Sequence, residues 1–339
     1  MLSLLVQGRC AATENGGCEM KKYGFVASGG GYRSFYTEGA LVWLKKHDIP
    51  VVHLTSTSSG CNIVLDYLMW DAAKEDLPPV LTKTLRLSFK DTFDVFANFL
   101  GLRPSLLPNG SYLLKVDKDR CRKSLLLDEA DRKATLLDRL RSTRWDIIAS
   151  NLTKRRAEYF SVNDILAPTD PSSLSRFMDA FLAGITTIPY FAAIKINGDY
   201  YVEGGYIDNV PMRTLFEDPE VEEIIVVDFT DRDYHADIDD IYGKNPLMLL
   251  LNSVDMNLLV TDIQMNLAGI GILHQATLIN RMLQAAGKTS MEIDGTTCYY
   301  KPIHVLKPRN LKSMTIALGD SSLQKEYFEL GQKEVRALF

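Results

Sequence analysis

Twice within residues 23–68 a short apolar run ends in a cluster of small residues and gives way at once to apolar residues at helical spacing. Tyr23-Gly24-Phe25-Val26-Ala27-Ser28 leads into Gly29-Gly30-Gly31 and then Phe35, Leu41, Val42 and Leu44. Val51-Val52-His53-Leu54-Thr55 leads into Ser56-Thr57-Ser58-Ser59-Gly60 and then Ile63, Val64, Leu65, Tyr67 and Leu68. A repeated strand–turn–helix unit calls for an α/β fold whose mainly parallel sheet is covered by helices on both faces, with reactive groups at the carboxyl ends of the strands. Residues 145–150 and 223–229 read as further strands of the buried type, and Tyr200-Tyr201-Val202 as another that ends at Glu203-Gly204-Gly205.

Between these pieces the texture changes. Residues 74–143 are basic and leucine-rich between Pro and Gly breaks and read as a helical insertion, either a lid with a solvated face or a surface for lipid. Residues 1–22 lack any period and read as a loose leader. The expected organisation is that leader and one domain over 23–339, with its core at 23–73 and 144–230, the lid at 74–143 and a helical extension at 231–339. Within the extension, the Met- and Leu-rich stretch 247–285 reads as a core helix or as the wall of an acyl-chain channel.

Composition narrows the function. The net charge is −5, which supplies no global positive field for nucleic acid. Five scattered cysteines without C-x-x-C spacing imply neither a disulfide framework nor a metal site, and fit a reducing compartment. The first ten residues carry too short an apolar stretch for a secretory signal, and no run of about 18 apolar residues occurs. The expected location is cytoplasmic, with peripheral membrane contact at most.

Three motifs carry chemistry. Ser28-Gly29-Gly30-Gly31-Tyr32-Arg33 follows a strand and opens a helix, so its N–H groups can face an anion, as a phosphate loop, an oxyanion hole or a plain turn would require. Ser56-Thr57-Ser58-Ser59-Gly60 has the placement of a nucleophile elbow, and also that of a helix cap. Glu203 before Gly204-Gly205 is a general base within reach of the elbow, or a turn residue.

In that order the motifs resemble those of the patatin-like phospholipases. Gly29, Gly30, Gly31 and Arg33 match the family's oxyanion loop, Ser58 and Gly60 its serine elbow, and Gly204, Gly205, Asn209 and Pro211 its third segment. The likeness spans about residues 22–230, and Gly331 in the last helix fits the family's ending. The resemblance implies a three-layer sandwich and a serine acyl hydrolase of lipid esters, with a Ser58–Glu203 dyad and neither metal nor cofactor. Ser59 joins Ser56, Gly60, Gly204 and Gly205 as support of the motifs. Two residues depart from the pattern: Ser56 stands where the elbow has glycine, and Glu203 where the family has aspartate. The longer acid leaves two other readings open: an acyltransferase or thioester-cleaving enzyme using the same acyl-enzyme, and a weakly active protein that binds lipid or a partner. Asp208 is a substitute acid five residues on. His47, His53, His235, His274 and His304 read as structural or surface residues; a catalytic one would favour an α/β-hydrolase triad.

Overall fold

Every residue from Tyr23 to Ala27 is buried, as a strand covered on both faces requires. A computed structural model of the chain describes residues 10–12, 18–79, 81, 103–104, 114–188, 191–229, 249–309 and 321–339. It opens with β1 (Cys10–Ala12), β2 (Cys18–Met20), β3 (Tyr23–Ala27), α1 (Ser34–Lys46), β4 (Val51–Ser56) and α2 (Ser59–Met69). There follow β5 (Arg103–Pro104), β6 (Leu114–Lys115), α3 (Lys118–Ser124), α4 (Ala130–Arg139), β7 (Arg144–Asn151), β8 (Arg156–Ser161), α5 (Val162–Ile165) and α6 (Ser173–Ile185). The remainder holds β9 (Ile194–Ile196), β10 (Asp199–Glu203), α7 (Arg213–Glu217), β11 (Glu223–Val227), α8 (Leu249–Ala285), β12 (Ser290–Ile293), β13 (Thr296–Tyr299), β14 (Ile303–Leu306) and α9 (Ser321–Arg336).

One sheet organises these elements. Its pairing order is β14-β11-β3-β4-β7-β10-β9, with β8 also on β7. The first five run parallel, and β8, β9 and β10 are antiparallel additions. Because side chains alternate along a strand, Phe25, Ala27, Ile225 and Val227 enter one cluster with Leu41 of α1, Leu65 of α2, Phe177 of α6 and Tyr327 of α9. Val26, Ile224 and Val226 enter the other, with Leu215 and Phe216 of α7 and Ala276 of α8. The result is the expected three-layer α/β architecture.

The register on β7 explains how distant motifs meet. β4 pairs with Arg144 to Ile147 and β8 with Asp146 to Asn151; these spans overlap, so the two strands lie on opposite edges of β7. β10 pairs with Ala149 to Asn151, which β8 also covers, and therefore shares the edge used by β4. It enters antiparallel just where β4 leaves the sheet. The turn after Ser56 and the end of β10 at Glu203 are thereby brought face to face.

Two features differ from the sequence expectation. The leader contains an antiparallel pair, Cys10 opposite Met20. The insertion's basic residues are largely matched by acids: Arg122 pairs with Asp119 at 3.2 Å and Asp128 at 2.7 Å, Arg120 with Asp117 at 3.9 Å, and Lys118 with Asp179 at 2.6 Å. Among the described residues these three cations are thus paired with acids; positions 80, 82–102 and 105–113 lie outside the described residues. The extension packs into the same body as the core. β14 completes the parallel sheet, and α9 crosses α1 so closely that a Cβ on Gly39 would lie 2.0 Å from the Phe328 carbonyl oxygen and one on Gly331 2.0 Å from that of Tyr36. Among the described residues no helix is long and apolar enough to cross a membrane.

Candidate active site

Between β4 and α2 the chain turns within two residues, and Ser58 takes up the turn. Its backbone sits at φ 51°, ψ −133°, a region that residues with a Cβ rarely occupy and that persists only when neighbours enforce it. They do so here through three hydrogen bonds: Ser58 N–H donates to the Gly184 carbonyl at 2.8 Å, Thr57 N–H to that of Ala27 at 3.3 Å, and Cys61 N–H to that of Ser58 at 3.0 Å. A Cβ on Gly60 would lie 2.1 Å from the Ala27 carbonyl oxygen, so this position admits no side chain. Ser56, in place of the elbow glycine, has work for its hydroxyl, which accepts the Trp145 indole N–H at 2.8 Å and reaches Cys61 Sγ at 3.4 Å.

Glu203 is 1% exposed, and its N–H donates to the Thr186 carbonyl at 2.8 Å. Burial pushes its carboxyl up to about 7, against hydrogen bonds from the Ser58 and Thr187 hydroxyls that hold it down. The carboxylate thus lies near the elbow serine despite its extra methylene. Gly204 makes room for this contact, since a Cβ there would meet the Ile148 carbonyl oxygen at 2.4 Å and Thr57 Oγ1 at 2.5 Å. Asp208 has other partners. It accepts the Tyr159 hydroxyl and the Val210 N–H, and burial raises its carboxyl to about 6; it braces the turn after Gly205.

Polar side chains from the other two motifs fix the glycine loop. Asn209 clamps Gly29, accepting its N–H at 3.1 Å and donating to its carbonyl at 3.3 Å. Ser59 Oγ accepts the Gly30 N–H at 3.2 Å and lies 2.5 Å from Ser34 Oγ. A Cβ on Gly29 would lie 2.8 Å from that of Ser58 and one on Gly30 2.5 Å from the Phe229 ring. Gly31 is left-handed, φ 56°, a conformation suited to glycine, and its N–H has no acceptor among the described residues. Of the three glycine amides it is the one without a partner among the described residues. Arg33 is buried and faces Asp262 of α8 at 3.4 Å, so it ties the loop to that helix.

Thr187, Asn209 and Ser59 are thus the residues that complete the constellation. Asn209 and Ser59 lay inside matched motifs, but nothing local in the sequence pointed to their partners. Thr187 carried no signal beyond its place just before Ile188.

The histidines lie elsewhere. His47 Nδ1 contacts the Trp43 carbonyl at 2.8 Å, and His304 Nε2 contacts Glu223 at 2.6 Å; His235 lies outside the described residues. His53 is fully buried near the start of β4, between Asp218 at 2.8 Å and Asp146 at 2.9 Å. Burial alone would lower its pKa from the ordinary 6.5, but the two carboxylates raise it. Burial likewise opposes the ionised acids, yet bonds from His53 and other neighbours lower Asp146 and bring Asp218 to about 2. A raised histidine stabilises the fold below its ordinary value and loses that effect as pH rises through its folded value; lowered acids do so above theirs and lose it on acidification. Thermal stability is therefore expected to peak between about pH 4 and 6.5 as far as this cluster contributes. His53→Asn should flatten the decline above that range, and an unchanged melting profile would contradict the assignment.

A family model described as patatin-like phospholipase matches residues 25–216. No curated protein matches the chain. Among solved structures, VipD from Legionella pneumophila is similar at 14% identity and a TM-score of 0.41, covering 97% of this chain and 69% of that one. The type III effector ExoU is similar at 14% identity and a TM-score of 0.34, covering 93% of this chain and 52% of that one. Full-length ExoU in complex with SpcU, from Pseudomonas aeruginosa, is similar at 12% identity and a TM-score of 0.28, covering 91% and 70%.

Proposed function

The chain belongs to the patatin-like phospholipase family, and on that premise we propose that it is a serine acyl hydrolase of lipid esters acting through a Ser58–Glu203 dyad. The observation that carries the reading is the strained elbow serine beside a buried carboxylate that burial pushes up to about 7 and the Ser58 hydroxyl holds down. A base poised near neutrality combines the ionised form with an adequate drive for proton transfer.

Ser58 Oγ attacks the acyl carbonyl carbon while its proton passes to the Glu203 carboxylate. The oxygen that becomes negative is met by the Gly31 N–H at the head of the loop, with the positive end of the α2 dipole beside the nucleophile. Collapse breaks the C–O bond to the leaving alcohol, which takes the proton back from Glu203. Water then gives its proton to Glu203 and attacks the acyl-serine, and release of the fatty acid returns the proton to Ser58. No step of this reaction calls for a metal. In this reading 23–339 acts as one domain, with β14 and α9 belonging to its core.

Incubation of the purified chain with a defined phosphatidylcholine, followed by mass spectrometry, tests the reaction class. Free fatty acid and the matching lyso-lipid are expected, in amounts little changed by an added alcohol or thiol acceptor. Acyl products formed mainly on the acceptor would establish a transferase, and the absence of any product across lipid classes would favour the binding-protein reading.

A further inference from the structure

The outer side of α8 is unusual for a helix packed on a core. Val260, Ile263, Leu267, Leu278 and Met282 are 46%, 49%, 65%, 42% and 57% exposed. At 3.6 residues per turn these five positions, together with His274 and Arg281, fall within an arc of about 100°. Large apolar residues exposed singly need no explanation, but a stripe along one helix face marks a contact surface. The opposite side of the helix lies on the site already described: a Cβ on Gly205 would meet Met265 Sδ at 3.1 Å, and Asp262 faces Arg33 at 3.4 Å.

The stripe runs into a cavity of about 220 Å³ where α8 passes the carboxyl ends of β11 and β14. Its walls are amphiphilic. Leu273 and Leu278 supply apolar surface, while His274, Arg281 and Lys307 bring basic groups around one acid, Asp228. Lys307 Nζ lies 3.5 Å from the Asp228 carboxylate, which is itself buried, so this acid already has a cation beside it. Arg281 is exposed and has no ion-pair partner among the described residues. Among the described residues the lining thus keeps a positive charge with no acid paired to it, beside an apolar strip.

We propose that this face of α8 docks on an anionic phospholipid surface, with a lipid phosphate seated in the cavity between Arg281 and Lys307 and the stripe from Val260 to Leu267 lying in the apolar layer beneath the headgroups. A phosphate suits the guanidinium fork and the lysine, and the neighbouring leucines suit the adjoining hydrocarbon. A helix lying in the interface rather than crossing it agrees with its mixed faces. Such binding does not depend on the Ser58–Glu203 dyad.

Sedimentation of the full chain with phosphatidylcholine vesicles, with and without phosphatidylglycerol, tests it without reference to activity. Binding is expected to require the anionic lipid and to weaken as salt rises. Arg281→Glu and Leu267→Glu should each reduce it about tenfold or more, with Lys123→Glu, on the insertion, as a control that leaves it unchanged. Thermal melting reports whether each variant folds, and Arg281→Ala and Leu267→Ser serve where a charge change lowers the melting temperature. Equal binding to pure phosphatidylcholine, no binding at low salt, or variants that bind like the parent would each overturn the proposal.

Discussion

Ser58→Ala is expected to remain folded and to lose turnover of lipid and short-chain esters by about 10⁴- to 10⁶-fold, the range seen when the nucleophile of a serine hydrolase is removed. Alanine keeps the Cβ already tolerated at φ 51°, ψ −133°, and its N–H can still donate to the Gly184 carbonyl. The elbow should therefore survive the change, leaving only loss of Oγ to register. Any residual catalysis would come from the glycine loop and from substrate binding. Turnover and labelling by a fluorophosphonate are the readouts. A variant that labels as the parent does, or turns over within tenfold of it, would remove Ser58 from the mechanism.

Glu203→Gln is expected to slow acylation by about 10²- to 10⁴-fold, the usual contribution of a general base. The amide oxygen can still accept the Ser58 and Thr187 hydroxyls, so the shape of the site is kept while the proton acceptor is lost. Stability should move the other way. A buried acid whose folded pKa is raised from 4.5 to about 7 holds its proton longer in the folded chain, so it costs stability progressively as pH rises between those values. Glu203→Gln should consequently melt at least as high as the parent above neutral pH while being far slower. A variant both less stable and inactive would instead point to a structural acid. Glu203→Asp separates reach from chemistry: it restores the family residue, and activity retained would show that the pocket tolerates either length.

Much of this was legible in the sequence because tight turns leave few choices. A Cβ at Gly60 or Gly204 would strike a carbonyl oxygen at 2.1 or 2.4 Å, and a site that excludes side chains so strictly writes glycine into the motif. The repeated strand–turn–helix unit likewise fixed the parallel core, since only burial on both faces produces such apolar runs. What escaped were pairings between distant segments. The Asn209 clamp on Gly29 spans 180 residues, and the entry of β10 at the end of β4 depends on the register of β7. β8, Arg156-Ala-Glu-Tyr-Phe-Ser, is partly exposed along its length and carries no strong alternation. In the Met- and Leu-rich stretch the helix was legible but not its orientation: apolar residues lie on both sides of α8, and composition cannot tell the side that packs from the side that does not.

Proton transfer from Ser58 to Glu203 is tested most directly by the pH dependence of phosphonylation. The second-order rate of labelling by a fluorophosphonate reports the free enzyme's base, without product release or lipid dispersion intervening. The parent should show a rate that climbs with pH through a single ionisation at about 7, the value burial gives Glu203, and Glu203→Gln should be slow at every pH with that ionisation gone. A parent profile without an ionisation near this value, or the same ionisation persisting in Glu203→Gln, would contradict the account.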